Sequence, residues 1–186
     1  MNNYFIILAS GQSKRFNSDK PKQFLFYKNK PLYEHSIEKA IKSKLFKKII
    51  LVINDKKQIK NKISKSVSVI NGGKERSDSS LIALRFINKF KPKNVLIHDA
   101  ARPFCSNILI KKILKKLIKN NNCIPYIVHS DRQIEKYTKT DIKAIQIQTP
   151  QGFDYNLIFK AHNKYKNLNL SDDTSLIQEM KLKIFL

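Results

Sequence analysis

The sequence YFIILASGQSKR, residues 4–15, joins an uninterrupted apolar run to a glycine and two basic side chains. An unbroken apolar run of this length is typical of a strand that is buried on both faces of a sheet. We therefore predict a first strand at Tyr4–Ala9 that ends in a loop around Gly11, with Lys14 and Arg15 just beyond it. A loop this cationic at the end of a strand is either solvated surface or a place where phosphate groups bind.

Apolar runs of strand length alternate along the chain with longer segments of helical period. The predicted strands are Tyr4–Ala9, Lys48–Ile53, Val67–Ile70, Asn94–His98, Cys123–Val128 and a last one that begins at Leu182. The predicted helices are Leu32–Lys44, Ser77–Phe90, Asn107–Lys119, Tyr155–Tyr165 and Asp172–Met180. This alternation indicates an α/β fold, in which a mainly parallel sheet has helices on both faces.

Apolar residues at helical spacing define the face that each helix turns toward the sheet. The predicted inward residues are Leu32, Ile37, Ala40 and Ile41 in the first helix, Leu81, Leu84, Ile87 and Phe90 in the second, and Ile110, Ile113, Leu114, Leu117 and Ile118 in the third.

The segment His129–Gln148 interrupts the alternation of strands and helices. It is polar and ends in the alternating sequence AIQIQ at residues 144–148, a pattern that is typical of a half-exposed strand. We predict a protruding pair of strands here, an arm of about residues 129–148 through which a homodimer forms. The chain shows no repeat, linker or domain boundary, so residues 1–186 are interpreted as a single domain.

The formal net charge of +23 raises the question of a polyanionic partner. Of the 37 basic residues only five are arginines, and the lysines are scattered among many asparagines and isoleucines. Base readout and bidentate phosphate binding favour arginine, and no nucleic-acid-binding motif is present. We therefore interpret the positive charge as a surface rich in lysine through biased amino-acid composition, and not as a nucleic-acid-binding face. The alternative, from another class of function, is a non-catalytic basic module that binds nucleic acid.

Cys105 and Cys123 are the two cysteines, and neither belongs to a C-x-x-C motif. Both lie in or beside apolar segments, which favours reduced, buried thiols over a disulfide framework or a zinc site. The N-terminal apolar run is too short for a signal peptide, and no apolar stretch approaches the length that crosses a membrane. We therefore expect a cytoplasmic protein, and the four histidines show no metal-ligand spacing.

Three loops follow predicted strands at the edge of the sheet where open α/β folds bind ligands. They carry the sequences SGQSKR at residues 10–15, GGKERSDS at 72–79 and HDAARPF at 98–104. The first loop has neither G-x-G-x-x-G nor G-K-[ST], so the dinucleotide fingerprint and the P-loop are both excluded. What remains is G-x-x-x-R followed by P-K-Q, and by residue type alone this pattern indicates a ligand site without identifying the ligand.

Several acidic residues in these regions have a structural interpretation. Asp99 is either a ligand or the N-cap of a helix, and Asp78 is interpreted as a cap of the helix that follows it. The pair Asp172 and Asp173 is interpreted as a helix start, where carboxylates interact favourably with the helix dipole.

The ordered motifs SGQSKR, PKQF, GGKERSDS, HDAARPF, TPQGF and SDDTS resemble those of the 2-C-methyl-D-erythritol 4-phosphate cytidylyltransferase family. The resemblance extends from residue 4 to the end of the chain, and HDAARPF together with PKQF is its specific part. It implies a Rossmann-like nucleotidyltransferase that transfers CMP from CTP to a polyol phosphate in the non-mevalonate pathway of isoprenoid biosynthesis. The related ribitol 5-phosphate cytidylyltransferases are the alternative, although the two alanines of HDAARP favour the first family.

The resemblance also implies roles for individual residues. By position in the motifs, Arg15 and Lys22 would stabilise the pentacoordinate transition state of phosphoryl transfer. The implied nucleotide-binding residues are Ala9, Ser10, Gly11, Gly73, Arg76, Ser79, Asp99 and Ala100. The implied acceptor-binding residues are Arg102, Thr149 and Ser171. A magnesium ion would be held mainly by the triphosphate, with Asp99 as the candidate protein ligand.

The sequence departs from the family pattern in two places. Members carry an arginine a few residues before T-P-Q that reaches the acceptor phosphate from the partner subunit, whereas here only Lys139 or Lys143 is available for that role. Members also continue beyond the last predicted strand into a segment with another phosphate-binding lysine, whereas this sequence ends at Leu186. We therefore expect a chain that is truncated at its C-terminus.

Overall fold

A computed structural model gives the structure of residues 2–12, 20–59, 63–128, 145–168, 170 and 172–186. The strands are β1 (Asn3–Leu8), β2 (Phe26–Tyr27), β3 (Lys30–Pro31), β4 (Lys48–Ile53), β5 (Val67–Asn71), β6 (Asn94–Asp99), β7 (Asn122–Cys123), β8 (Tyr126–Val128), β9 (Ile145–Ile147) and β10 (Gln151–Asp154). The α-helices are α1 (Leu32–Ser43), α2 (Arg76–Asn88), α3 (Asn107–Lys116), α4 (Tyr155–Lys164) and α5 (Thr174–Glu179). Short 3₁₀ helices lie at Lys22–Phe24 and Lys56–Gln58.

The main sheet contains six strands in the order β5-β4-β1-β6-β10-β7. β1 lies parallel between β4 and β6, with Ile6 opposite Ile50 on one side and Ile97 on the other. β5 is parallel to β4, whereas β10 runs antiparallel to both β6 and β7. The mainly parallel sheet that the apolar runs predict is therefore confirmed, with antiparallel pairing at one side.

Successive residues of the central strands point to opposite faces of the sheet and pack against different helices. Ile6 and Ile50 belong to the core layer under α2, α4 and α5, whereas Phe5 and Ile49 belong to the layer under α1 and α3. All four side chains are at most 3% exposed. Burial of an aliphatic or aromatic side chain of this kind stabilises the fold by about 1.5–3 kcal/mol. The predicted helices on both faces are confirmed.

The predicted strand at Cys123–Val128 is wrong, because the chain divides there into β7 in the main sheet and β8 in a separate pair. Pro125 lies between them and has no N–H to donate to a ladder. β10 was not predicted, because its sequence QGFD is not an apolar run. Gly152 lets this strand lie against α3, since a Cβ there would be 2.3 Å from Ile113 Cγ2.

The predicted last strand from Leu182 is also wrong, because residues 182–186 form no ladder. The Phe185 carbonyl accepts a hydrogen bond from the Ile124 N–H at 2.8 Å. The neighbouring bonds go to a side chain instead, since the Phe185 N–H donates to Asn122 Oδ1 and Asn122 Nδ2 donates to the Lys183 carbonyl, both at 2.9 Å. The Asn122 amide thus takes the place of a backbone partner.

Two predicted inward side chains face solvent, since Ile41 is 38% exposed and Ile118 is 71% exposed. α1 buries a face made of Tyr33, Ser36, Ile37 and Ala40, and Ile41 lies at the edge of that face. α3 ends at Lys116, so Ile118 follows the helix and does not share its buried face. Phe90 lies beyond the end of α2 and is half-buried against Tyr4, with ring centroids 6.0 Å apart.

The base of the predicted arm is present as an antiparallel pair of β8 and β9, with Tyr126 opposite Ile147 and Val128 opposite Ile145. Residues 129–144, which make up most of the arm, lie outside the described part of the chain.

Cys105 and Cys123 are buried and free, as the sequence predicts. Burial raises the pKa of the Cys105 thiol to about 11 and also raises the pKa of the Cys123 thiol. In the part of the chain that the structure describes, no helix has the length and apolar character needed to cross a membrane.

Candidate functional site

The loops that follow β1 and β5 are joined at the carboxyl edge of the sheet by a pair of hydroxyl groups. Ser10 Oγ lies 2.8 Å from the oxygen of Ser79, which is fully buried in α2. The Ser79 hydroxyl donates to the Glu75 carbonyl and accepts from the Gly73 N–H, both at 3.1 Å. Because its own proton is engaged, Ser79 accepts the proton of Ser10. The two loops therefore form one surface, as the strand order predicts.

Gly72 and Gly73 allow this close approach. A Cβ on Gly72 would lie 2.6 Å from Ser10 Cβ, and a Cβ on Gly73 would lie 2.3 Å from Asp78 Cβ. Neither glycine has a positive φ, so close packing and not backbone conformation requires glycine at these positions. A side chain at either position would push the second loop away from the first loop or from α2.

Side-chain amides hold the loop after β1. Gln23, which is 5% exposed, donates from Nε2 to the carbonyl oxygens of Ala9 at 2.8 Å and Gly11 at 2.7 Å. Asn54, which directly follows β4, donates from Nδ2 to the Ser10 carbonyl at 2.6 Å. Sequence reasoning missed both residues. The one signal for Gln23 is its place in PKQF, directly after Lys22.

Arg76 connects α2 to the end of β6 and to the start of α5. Its Nε donates to Asp99 Oδ1 at 3.2 Å, and its Nη1 donates to Asp173 Oδ2 at 2.7 Å. Asp173 is 1% exposed, and its other carboxylate oxygen lies 2.9 Å from His162 Nε2 on α4. This cluster ties Asp99 to the helices on one face of the sheet.

The charged forms of Asp173 and Arg76 are strongly favoured. Burial raises the pKa of the Asp173 carboxyl, but Arg76 and His162 outweigh burial and hold that pKa well below its usual range. Burial lowers the pKa of the Arg76 guanidinium, but Asp173 and Asp99 outweigh burial and raise it above its ordinary value. Arg76 is therefore a permanent cation beneath the site.

The turn after β6 is fixed by hydrogen bonds around His98. Nε2 of His98 lies 3.0 Å from the Arg102 carbonyl, which can only accept, so Nε2 carries the proton. Nδ1 then accepts from the Thr149 hydroxyl at 3.0 Å, and Thr149 Oγ1 accepts from the Asp99 N–H at 3.2 Å. Burial lowers the pKa of His98 to about 4, so the ring is neutral near pH 7.

Arg102 lies on the open side of this turn, with a side chain that is 42% exposed. Its Nε is 3.5 Å from Asp99 Oδ2, and its Nη1 donates to Gln148 Oε1. Thr149 is 8% exposed, and its hydroxyl is already engaged with His98 and Asp99. The predicted contact of Thr149 or Arg102 with the polyol phosphate that accepts CMP stays a prediction.

The remaining predicted site residues fall into three groups. Lys22 begins the 3₁₀ helix that also carries Gln23. Ala9 and Ala100 are buried, and their N–H groups donate to Val52 and Leu8 carbonyls, respectively, so a nucleotide contact by either alanine stays a prediction. The residues outside the described part of the chain are Arg15, Lys139, Lys143 and Ser171.

Two of the acidic residues have the capping roles that the sequence predicts. Asp78 accepts from the Glu75 N–H at 3.1 Å in the capping box of α2, and Asp172 accepts from two N–H groups at the start of α5 at 2.7 and 3.2 Å. Asp99 is not a helix cap, because the next helix is capped by Ser106.

A protein-family model described as "IspD: 2-C-methyl-D-erythritol 4-phosphate cytidylyltransferase" matches residues 4–185. The chain belongs to this family. The bifunctional enzyme IspD/IspF of Pelagibacter ubique is 42% identical over 192 residues, which cover 99% of this chain and 51% of that protein. The 2-C-methyl-D-erythritol 4-phosphate cytidylyltransferase of Thermotoga neapolitana is 33% identical over 98% of this chain and 85% of its own length.

Solved structures of the cytidylyltransferase family share the fold. The bifunctional IspDF from Campylobacter jejuni superposes with a TM-score of 0.86 at 31% identity, which covers 100% of this chain and 49% of that one. The 4-diphosphocytidyl-2C-methyl-D-erythritol synthase of Anaerococcus prevotii superposes with a TM-score of 0.82 at 25% identity, over 98% of this chain and 86% of that one. The chain therefore spans about half the length of these bifunctional relatives and most of the length of the cytidylyltransferases.

Proposed function

We propose that this member of the cytidylyltransferase family transfers CMP from CTP to 2-C-methyl-D-erythritol 4-phosphate and releases pyrophosphate. The observation that carries the proposal is the joining of the loops that begin at Ser10, Gly72 and His98 at one edge of the sheet. The Ser10–Ser79 hydroxyl pair links the first two loops, and the Arg76–Asp99 ion pair links the second to the third. This edge is where open α/β sheets bind nucleotides.

The reaction needs charge stabilisation more than proton transfer. A phosphate oxygen of the acceptor forms a bond to the α-phosphorus of CTP, while the bond from that phosphorus to the bridging oxygen breaks and pyrophosphate leaves with the electron pair. The attacking phosphate is already an anion, so no general base is required. We assign stabilisation of the pentacoordinate transition state to Lys22 and to Arg15, which lies outside the described residues.

We assign the nucleotide to the loops after β1 and β5, and the acceptor to the turn after β6. A Cβ added to Gly11 would meet no atom of the described residues within 4 Å, and we assign this part of the first loop to the ligand. Small residues at Ser10, Gly11 and Gly73 suit the flat edge of a pyrimidine, and we expect CTP to be preferred over purine triphosphates. The half-exposed Arg102 offers a planar guanidinium for the acceptor phosphate.

A magnesium ion that the triphosphate carries is the proposed cofactor. Magnesium sites of this type use one or two protein carboxylates together with substrate phosphates, and Asp99 supplies one carboxylate at the sheet edge. Asp99 Oδ1 is paired with Arg76 at 3.2 Å, whereas Oδ2 is 3.5 Å from Arg102 and is the oxygen better placed for a metal. The ion would neutralise charge on the triphosphate. In the described ranges, no cluster of three or more histidines, cysteines or acidic residues could hold a metal ion without the substrate.

A homodimer formed through the arm is part of the proposal. The β8–β9 pair carries apolar side chains that are 43–53% exposed, namely Tyr126, Ile127, Val128 and Ile145. Burial of such a patch against a second copy would favour association. Lys139 or Lys143 of the same arm would then reach the acceptor phosphate in the partner subunit. Light scattering at micromolar concentration tests this part, and a monomer would contradict it.

The test of the reaction is pyrophosphate release from CTP and magnesium with each of two acceptors. We expect turnover with 2-C-methyl-D-erythritol 4-phosphate and much slower turnover with ribitol 5-phosphate. Faster turnover with ribitol 5-phosphate would overturn the assignment of the acceptor, and no turnover with either would overturn the proposed reaction. The proposed compartment is the cytoplasm, where two buried thiols stay reduced.

A further inference from the structure

Two amide side chains from different parts of the sequence donate hydrogen bonds to three successive carbonyl oxygens of the loop after β1. Gln23 binds the carbonyl oxygens of Ala9 and Gly11, and Asn54 binds the carbonyl oxygen of Ser10 between them. The donor–acceptor distances are 2.8, 2.7 and 2.6 Å, respectively. Both protons of Gln23 Nε2 are therefore engaged with the same loop.

This arrangement fixes the direction of the N–H groups that belong to the same three peptide units. In a trans peptide, the carbonyl of one residue and the N–H of the next point in opposite directions. The N–H groups of Ser10 and Gln12 therefore point away from Gln23, and the N–H group of Gly11 points away from Asn54. None of these N–H groups has an acceptor within the described part of the chain, and no described residue fills the space beside Gly11.

We propose that Gln23 and Asn54 are positioning residues for CTP, which hold the N–H groups of Ser10, Gly11 and Gln12 toward acceptor atoms of the nucleotide. The inference rests on the proposed function, because CTP is the ligand that those N–H groups would bind. Both Nε2 protons of Gln23 and one Nδ2 proton of Asn54 are engaged with carbonyls of the loop, so we assign the two side chains to the loop and not to the nucleotide.

The physical reason is preorganisation. Backbone donors that already point at a ligand need no reordering when the ligand binds, whereas a loop without the two amides must order its peptide planes at the cost of affinity. The effect falls on ground-state binding of CTP, so it appears in KM and not in kcat. Lys22 and Arg15 are assigned to the transition state, so their replacement is expected to lower kcat with a much smaller effect on the KM for CTP.

Gln23 and Asn54 offer complementary variants. Gln23→Met removes both amide donors and keeps the size of a buried side chain, but Gln23 is next to Lys22 in the 3₁₀ helix. Asn54→Ala removes one donor at an exposed position that follows a different strand, so it alters neither the core nor Lys22. The matched control is Gln178→Met, which replaces an exposed glutamine on α5.

The experiment measures kcat, the KM values for CTP and for the acceptor, CTP affinity by calorimetry, and thermal unfolding of the three variants. We expect the KM for CTP to rise about fivefold in Asn54→Ala, as for one lost hydrogen bond, and further in Gln23→Met. The KM for the acceptor is expected to stay unchanged, and so is the kcat of Asn54→Ala. The control variant is expected to behave as the parent protein.

Hydrogen exchange in the protein without CTP supplies a readout that does not depend on activity. We expect the backbone amides of Ser10, Gly11 and Gln12 to exchange faster in Asn54→Ala and Gln23→Met than in the parent protein. In Gln178→Met they are expected to exchange at the rate of the parent protein. An unchanged KM for CTP in a folded Asn54→Ala protein, or unchanged exchange in both variants, would overturn the inference. If the parent protein binds no CTP by calorimetry, the proposed function is wrong, and with it the role of the amides in nucleotide binding.

Discussion

Asp173 and Arg76 form an ion pair with a separation of 2.7 Å between Oδ2 and Nη1, although they are 97 positions apart in the sequence. The same guanidinium binds Asp99 at the end of β6. The buried carboxylate of Asp173 therefore orients the Arg76 side chain toward Asp99 in the site. His162 completes the coordination of Asp173 at 2.9 Å. The helices that cover one face of the sheet thereby support a loop at its edge.

Replacement of Asp173 by asparagine is predicted to be strongly destabilising. The substitution keeps the shape of the side chain but leaves the partly buried Arg76 without its main counter-charge. Loss of one partner of a buried pair costs about 3–5 kcal/mol, and the 24% exposure of Arg76 places the expected loss at the lower end of that range. Urea unfolding of Asp173→Asn measures the loss. The matched control is Asp172→Asn, which removes a carboxylate charge but keeps an oxygen that can accept the same two N–H groups, and it is expected to cost less than about 1 kcal/mol. Equal losses in the two variants would contradict a structural role for the ion pair.

The buried His98 is predicted to make stability depend on pH between 6.5 and about 4. Its pKa is lowered in the folded protein, so in this range the unfolded chain binds a proton that the folded chain does not. Stability therefore falls as the pH falls, by about 3 kcal/mol across the window at most. Unfolding of the parent and of His98→Gln at several pH values tests this prediction. We expect the difference in unfolding free energy between the two proteins to change across the window, and parallel curves would exclude it.

Much of the fold follows from the sequence, because its strands are recognisable locally. The strand Lys48–Ile53 has the bounds that its sequence predicts, since a run of buried aliphatic residues needs no information from other parts of the chain. β10 could not be predicted in this way. Its QGFD sequence becomes a strand because Gly152 fits against Ile113 and because β6 and β7 offer backbone partners on both sides.

The site follows from the sequence only in part, for a similar reason. The motifs placed Ser10, Ser79 and Asp99 at the edge of the sheet, and the structure joins their loops. The roles of Gln23, Asn54 and Asp173 depend on which carbonyl or guanidinium each meets in the folded chain. Contacts between residues this far apart leave no local pattern, so they become visible only in three dimensions.

Replacement of Lys22 or Arg15 by alanine is predicted to lower kcat about a hundredfold or more, with a much smaller effect on the KM for CTP. Both cations are assigned to charge that develops in the transition state, so their loss is felt mainly in the chemical step. Lys28→Ala, at a surface lysine whose ammonium lies 5.5 Å from the Tyr27 ring centroid, is the control and should retain activity. A rise in KM with unchanged kcat in both site variants would exclude the assigned role.

The two cysteines are predicted to be unreactive in the folded protein. The thiolate is the reactive form, and burial both shields the thiols and raises the pKa of Cys105 to about 11. Titration with a thiol-specific disulfide reagent at pH 8 should modify neither cysteine in the native state and both in denaturant. Rapid modification of the native protein would show that one of these side chains is accessible.

The most direct test of the central claim is to follow the phosphorus atoms of the reaction by ³¹P NMR. The protein is incubated with CTP, magnesium and 2-C-methyl-D-erythritol 4-phosphate. We expect the resonances of CTP and the phosphate monoester to be replaced by those of pyrophosphate and of a diphosphate diester with two coupled phosphorus atoms, in equal amounts. Release of inorganic phosphate without the diester, or no change in any resonance while the protein is folded, would contradict it.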